Sequence, residues 1–375
     1  MLQFKRAASL PCSLRAAHLE QHTPVDAQHM PPNAADGASQ QAFAAALNRM
    51  GLTAPEAPAP PLVPLAGGVS SDIVRVDLPS GPICLKRALP KLKVQADWQA
   101  PVERNRWEVA WMKVAASIEP TAVPRVLGED AQSGTFAMSY LDPEHYPVWK
   151  AQLLEGRAQP AFAALVGTRI ASIHAHTANR ADLARQFATD HIFFPIRLEP
   201  YLAATARAHP DLASALAHLI EVTGSTKLAL VHGDVSPKNI LCGAHGPVFL
   251  DAECAWYGDP AFDLAFCLNH MLLKCVWRPQ STLAYLACFD ALARAYLEGV
   301  TWEPQAQLEA RTAHLLPGLL LARVDGKSPV EYITQEHQRN LVRVVARRFL
   351  REPSRHLGDI VASWQATVAP RAQPH

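Results

Sequence analysis

The sequence predicts an α+β chain of two lobes, a small β-rich N-terminal lobe followed by a larger, mainly helical C-terminal lobe. Three observations carry this. Asp72-Ile-Val-Arg-Val76 alternates apolar and polar residues, and Ile83-Cys-Leu-Lys-Arg87 repeats the strand signature beyond the turn Leu78-Pro-Ser-Gly81. From about Pro160 onward, apolar residues recur mostly at helical spacing. Two short apolar runs, Leu228–Leu230 and Val248–Leu250, interrupt that helical stretch around the polar segment "VHGDVSPKNIL" (Val231–Leu241).

The chain has 375 residues, enough for two domains or one large two-lobed unit at ~100–200 residues per domain. Residues 1–57 read as an N-terminal extension rich in Ala, Pro, Gln and His, with a short helix over Gln40–Met50 ended by Gly51. The Pro-rich segment "APEAPAPPLVP" (54–64) reads as an extended linker. Residues 58–138 form the predicted N-terminal lobe. There the loop Ala66–Ser71 opens the hairpin, and Trp107, Trp111, Val114 and Ile118 give a helix over Pro101–Ile118. Thr135–Leu141 is a further strand at the junction. Residues 139–375 form the C-terminal lobe, with helices expected over 161–177, 198–222, 261–275, 281–298 and 335–351.

Charge excludes some partners. Thirty-five basic residues oppose 34 acidic ones, which gives no electrostatic case for nucleic acid or an anionic membrane surface. No apolar run approaches the ~18 residues of a membrane span. The seven Cys include no CxxC pair, and most lie in apolar runs. Buried free thiols in a reducing compartment are therefore expected, in a cytoplasmic protein. The start of the chain has basic residues and no acid before Glu20, but lacks the apolar centre of a secretory signal.

Phosphoryl transfer from ATP needs a loop over the phosphates, a Lys on a strand and an acid to hold that Lys. It also needs a carboxylate at the acceptor hydroxyl, and an Asn and an Asp for Mg²⁺. The chain supplies these parts in order. Gly67, Gly68 and Ser70 would present backbone N–H groups to phosphate. Lys86 lies in a strand and Glu108 on the following helix, with Glu103 as second choice of partner. His232, Asp234 and Asn239 fit H-x-D-x4-N. Asp234 would accept or orient the hydroxyl, and Asn239 would ligate Mg²⁺ through its amide oxygen. Asp251 ends the second apolar run where another metal carboxylate belongs, and Glu253 is an extra candidate. Each piece alone is weak: a Lys in a strand is usually a solvated face residue, and Gly-Gly is usually a turn. The joint ordering is the signal.

These residues resemble the protein-kinase-like fold, in its small-molecule branch of aminoglycoside phosphotransferases, choline kinases and methylthioribose kinases. "HGDVSPKNIL" is similar to that family's catalytic loop, and "FLDAECAWYGDPAFDLAF" (249–266) to its metal-binding strand and following loop. The resemblance covers about residues 62–350 and implies a two-lobed fold with ATP and Mg²⁺ as cofactors. It puts the adenine edge at backbone groups near Met138 and Tyr140, and Asp263 as a brace for the catalytic loop; Lys238, beside Asp234, either steadies the γ-phosphate or points to solvent. His-Gly-Asp stands where protein kinases have His-Arg-Asp, and Asp251 leads within ten residues to Gly258-Asp-Pro260, with no room for a peptide-binding segment. The expected partner is therefore a small-molecule alcohol. "SYLDPEHYPVWKAQLLEG" (139–156) and "DHIFFPIRLEPYLAA" (190–204) look most like methylthioribose kinases, which favours a sugar-like acceptor.

That family also uses a pair of arginines near the substrate, and here Arg323 stands without its twin. Arg311, Arg323 and Lys327 suit a neutral polyol or an acidic substrate, or else lie on the surface. The alternatives are an aminoglycoside phosphotransferase and a catalytically silent nucleotide-binding relative. Oligomeric state is open, a homodimer being one option. His174 and His176 point apart on a helix and read as packing or capping residues rather than shared metal ligands.

Overall fold

The computed structural model describes residues 37–65, 71–89 and 101–368. Helix α1 (Gly37–Arg49) precedes strands β1 (Leu62–Pro64), β2 (Ser71–Leu78) and β3 (Gly81–Ala88). Helix α2 (Arg104–Ile118) follows, then β4 (Val126–Asp130) and β5 (Thr135–Ser139). The five strands form one antiparallel sheet in the order β1-β2-β3-β5-β4. Its hairpin is the expected one, in register from Ser71↔Ala88 to Leu78↔Gly81.

The extension ends earlier than residue 57. Phe43, Ala46 and Leu47 share one face of α1 and are fully buried, with Phe43 and Leu47 packed against Val74, Val76, Leu85 and Ala137 of the sheet. Arg49 clamps Asp130 through Nε (2.9 Å) and Nη2 (2.7 Å), and that hydrogen-bonded pairing lowers the Asp130 carboxyl to about 2. From Gly37 onward the chain belongs structurally to the N-terminal lobe. The face spacing was visible in the sequence, but the sheet that receives it was not.

The C-terminal lobe begins with α3 (Trp149–Leu154), α4 (Pro160–Thr177), α5 (Ala181–Gln186) and α6 (Asp190–Phe193). A π-helical stretch, Phe194–Ala203, then leads into α7 (Ala204–Ala208) and α8 (Ala213–Ser225). The single helix expected over 198–222 is therefore broken. Pro200 lacks an N–H within the wide turns, and Pro210 keeps His209 out of the helical region at φ −129°, ψ 75°.

Next come β6 (Ala229–Val231), β7 (Ile240–Gly243), β8 (Gly246–Phe249) and β9 (Trp256–Gly258). The two apolar runs flanking "VHGDVSPKNIL" do not pair with each other. Strand β6 pairs with β9, and β8 pairs with β7. The polar segment is thus held between two small ladders. The chain ends in α9 (Ala261–Trp277), α10 (Thr282–Glu298), α11 (Gln305–Asp325), α12 (Glu336–Arg351) and α13 (Leu357–Val368). Helix α9 is buried on all sides and forms the lobe's axis. Helices α4 and α10 touch backbone to backbone at Gly167, where an added Cβ would lie 2.3 Å from the Leu292 carbonyl oxygen. No helix of the described residues is long and apolar enough to cross a membrane.

Candidate active site

Lys86 sits on β3, the central strand of the sheet, and is buried. Its Nζ lies 2.7 Å from Glu108 Oε2 on α2, and it also donates to Asp251 Oδ1. Burial opposes the Lys86 charge, but Asp251 and Glu108 outweigh it and raise its pKa. Burial, together with Asp251 and Glu253, pushes the Glu108 carboxyl up to about 7 against the pull of Lys86. Several carboxylates share one ammonium here, a concentration of negative charge suited to a further cation. Glu103, the second choice, is exposed and bonded to His191 at 2.8 Å.

Segment Val231–Leu241 is fixed from beneath by α9. Asp263 accepts from the backbone N–H of His232 (2.7 Å) and of Gly233 (2.8 Å). His174 lies 3.2 Å from the same carboxylate and 2.7 Å from Tyr296 Oη, so it orients the brace. Gly233 adopts φ +81°, and a Cβ there would meet the Cys254 carbonyl oxygen at 2.7 Å. His232 receives the Asp234 N–H on Nδ1 (3.1 Å) and donates Nε2–H to the Leu250 carbonyl (3.1 Å). Only a neutral imidazole can make both bonds. Burial lowers its pKa accordingly.

Asp234 is buried. Its Oδ2 is 2.9 Å from Arg197 Nη2 and 3.2 Å from Lys238 Nζ. Burial would raise its pKa, but Lys238 and Arg197 reverse that and keep it below the ordinary value. Oδ1 has no hydrogen-bond partner among the described residues, so an ionised carboxylate keeps one oxygen for an incoming hydroxyl. Asn239 donates Nδ2–H to the Asp234 carbonyl (3.1 Å), which leaves its amide oxygen as an acceptor. Asp251 lies in the left-handed region at φ +68°, an uncommon conformation that Asp tolerates better than most residues.

Lys86, Glu108, Lys238, Asn239 and Asp251 all line one cleft of about 240 Å³. Its other walls include Ile73, Met112, Met138, Leu141 and Leu250, with Tyr140 at the lobe junction. The cleft therefore joins apolar walls to a charged end. The amide oxygen of Asn239 and the carboxylate of Asp251 are hard oxygen donors, the chemistry Mg²⁺ takes. Glu253 does not line the cleft: it is buried, and its Oε2 accepts from Arg104 Nε at 2.9 Å. Gly67, Gly68 and Ser70 lie outside the described residues.

The late-chain cations separate. Arg311 is bound to Asp259 (3.0 Å) and Glu303 (2.7 Å), and the exposed Lys327 to Glu199 (3.1 Å), so both are already paired with acids. Arg323 faces inward, 3.3 Å from Tyr201 Oη. Sequence reasoning missed Arg197, whose Nε also donates to the Gly233 carbonyl. Its signal was faint: one Arg between Ile196 and Leu198. It also passed over His270 and Lys274, although two basic residues four apart inside the mostly apolar α9 were there to be noticed.

The profile described as the phosphotransferase enzyme family matches residues 61–295. Among curated proteins, the chain is 27% identical over 219 residues to a methylthioribose kinase of Erwinia tasmaniensis, covering 51% of this chain and 54% of that one. A methylthioribose kinase of Yersinia pseudotuberculosis is 25% identical over 221 residues, at 51% and 53% coverage. The chain thus spans about half the length of these relatives. Among solved structures, it is similar to a choline/ethanolamine kinase family protein of Mesorhizobium loti, with TM-score 0.46, 17% identity, and 87% and 99% coverage. It is also similar to an ethanolamine kinase of Plasmodium vivax, with TM-score 0.49, 13% identity and 86% of each chain.

Proposed function

The chain belongs to the phosphotransferase enzyme family, and from that premise we propose that it moves the γ-phosphate of ATP to a hydroxyl of a small, sugar-like molecule. The observation that carries this reading is the convergence of Lys86, Glu108, Asp251 and Asn239 on one cleft with apolar walls, with Asp234 joined to it through Lys238, whose Nζ lies 3.2 Å from Asp234 Oδ2. Adenine would lie between the apolar walls, against backbone groups near Met138 and Tyr140. Lys86 would hold the α/β-phosphates, steadied by Glu108, and Lys238 would reach the γ-phosphate. Gly67, Gly68 and Ser70 are proposed to cover the phosphates. Asn239 and Asp251 would hold Mg²⁺, which when bound neutralises phosphate charge; Glu253, held by Arg104, would add negative charge near the site.

In the reaction, the acceptor oxygen bonds to the γ-phosphorus as the bond to the bridging oxygen breaks and ADP leaves. The hydroxyl proton passes to Asp234 Oδ1, while Arg197 and Lys238 hold Oδ2. Catalysis on this account is mostly positioning and charge stabilisation. The sugar-like acceptor rests on the similarity to methylthioribose kinases, and is finer than a match over half their length carries by itself. Among the described residues six cysteines are free, most of them buried, which supports residence in a reducing compartment such as the cytoplasm.

A mass-shift assay tests the reading. The protein is incubated with Mg-ATP and a panel of methylthioribose, other pentoses, choline, homoserine and an aminoglycoside. A phosphate added to one of them supports the reading and names the class. A panel without product, from a protein that Mg-ATP does not stabilise against heat, contradicts it.

A further inference from the structure

Beyond Asp234, helix α9 carries a row of side chains on one face: Phe266, His270 and Lys274, each one turn further along. The Arg197 guanidinium, bound to Asp234, lies 5.8 Å from the Phe266 ring centre. The His270 ring meets the edge of Phe266 at 5.8 Å. Lys274 Nζ sits 4.4 Å over the ring of Tyr332. From the opposite side, Tyr201 packs on Phe266 at 5.4 Å and receives Arg323 Nη1 at 3.3 Å. Asp234 and this basic row therefore border a continuous strip of the C-terminal lobe.

Several polar atoms along this strip lack partners, although Arg323 Nη1 also donates to the Ser328 carbonyl and to Ser328 Oγ (3.0 Å). Among the described residues, His270 Nε2, Arg323 Nε and Tyr332 Oη are buried without a hydrogen bond. Lys274 is 1% exposed and has neither a hydrogen bond nor an ion pair there. His270 faces Arg323, Lys274, Lys238 and Lys150, all of them cations. The neighbouring acid, Glu331, is already bonded to Lys150. Buried donors are ordinarily satisfied, and buried charges paired. Four such groups with one missing kind of partner describe a place for an anion. Burial, then Lys150 and Arg323, push Lys274 down to about 7 against Glu331, so a bound anion would restore its charge.

We propose that the phosphate acceptor carries its own anionic group, a carboxylate or a phosphate, and that Lys274, His270, Arg323 and Tyr332 hold it. This rests on the kinase reading above and names its substrate class. Size follows from helix geometry. His270 and Lys274 lie four and eight residues beyond Phe266 on α9, about 6 and 12 Å along the axis. The anion therefore sits several bonds from the reacting hydroxyl, as in a sugar acid or a sugar phosphate.

Matched pairs test the proposal: D-ribonate against ribitol, D-gluconate against glucitol, and ribose 5-phosphate against ribose. Each is assayed by ADP release with Mg-ATP and, separately, by thermal stabilisation without nucleotide. The expected result is that one class of anion is phosphorylated with kcat/KM at least about tenfold above its neutral partner, the scale of a buried charge pair. The carboxylate and phosphate arms tell the two anions apart. Lys274→Met should raise the KM for that anion about tenfold, with kcat and the KM for Mg-ATP unchanged. Tyr332→Phe, a milder change, should move the same KM in the same direction. Neutral alcohols used as well as their acids would overturn the proposal, as would an unchanged anion KM in both variants. If no compound is phosphorylated, the kinase reading fails separately. Stabilisation by an anion that Lys274→Met abolishes would still support the subsite, and no stabilisation by any anion would overturn it.

Discussion

Replacing Lys274 by Met should stabilise the empty protein, and should do so in a pH-dependent way. The ammonium is enclosed by α9, by Tyr332, and by Lys150 and Arg323, with Glu331 as its nearby acid and His270 one turn away. Burial and those cations lower its pKa from 10.5 to about 7. An unfolded chain therefore binds a proton that the folded one releases between those values. Stability rises with pH across that window, and the cost of Lys274 is fully present below about 7. At ~1.4 kcal/mol per unit, the ceiling is about 5 kcal/mol near neutral pH. The lost contact with the Tyr332 ring returns about 1–2 kcal/mol of that. Lys274→Met should therefore be more stable by about 2–4 kcal/mol at pH 7, with the gap closing toward pH 10. Urea titrations of both proteins from pH 7 to 10 measure it. Groups common to both proteins cancel in the difference. A gap that does not change with pH would refute the reasoning, and so would a variant less stable throughout.

Further predictions follow from single contacts. Arg197→Gln removes a cation that keeps the Asp234 pKa low. The acid limb of the kcat–pH profile should shift to higher pH, with activity recovering as pH rises; an unmoved limb would separate Arg197 from Asp234. Gly167→Ala forces a Cβ against the Leu292 carbonyl. It should cost about 1–3 kcal/mol, read as a lower urea midpoint. Phe43→Ala should cost about 3 kcal/mol or more, because the side chain is fully buried against the sheet. A neutral result there would return residues 37–49 to the role of an appended tail.

Much of the site was legible in the sequence because its chemistry is written in short spacings. His232, Asp234 and Asn239 lie within one segment, and the strand Lys and helix Glu fall in their usual order. What could not be read was whatever depended on the turn of the chain between segments. Arg197 reaches Asp234 because a π-helical stretch around Pro200 presents it, and no periodicity of 3.6 predicts that face. The apolar runs around "VHGDVSPKNIL" read as two short strands, but their partners did not: β6 pairs with β9, beyond both runs, and β8 pairs with β7, which lies between them. Helix α11 went unread because Pro317 sits within it and breaks the pattern by which helices are recognised. Glu253 was grouped with Asp251 by spacing and by the resemblance to methylthioribose kinases. The left-handed turn at Asp251 sends the two apart, Asp251 into the cleft and Glu253 down to Arg104.

The central claim is a division of labour, with Lys86, Asn239 and Asp251 serving the nucleotide and Asp234 serving the acceptor. Single-turnover transfer from γ-labelled Mg-ATP, measured for wild type and Asp234→Asn at equal nucleotide occupancy, tests it most directly. The account predicts that Asp234→Asn slows transfer by about 10²–10⁴-fold, the range of a general base, while Mg-ATP affinity stays close to that of wild type. Transfer at an undiminished rate, or loss of Mg-ATP binding in its place, would contradict it.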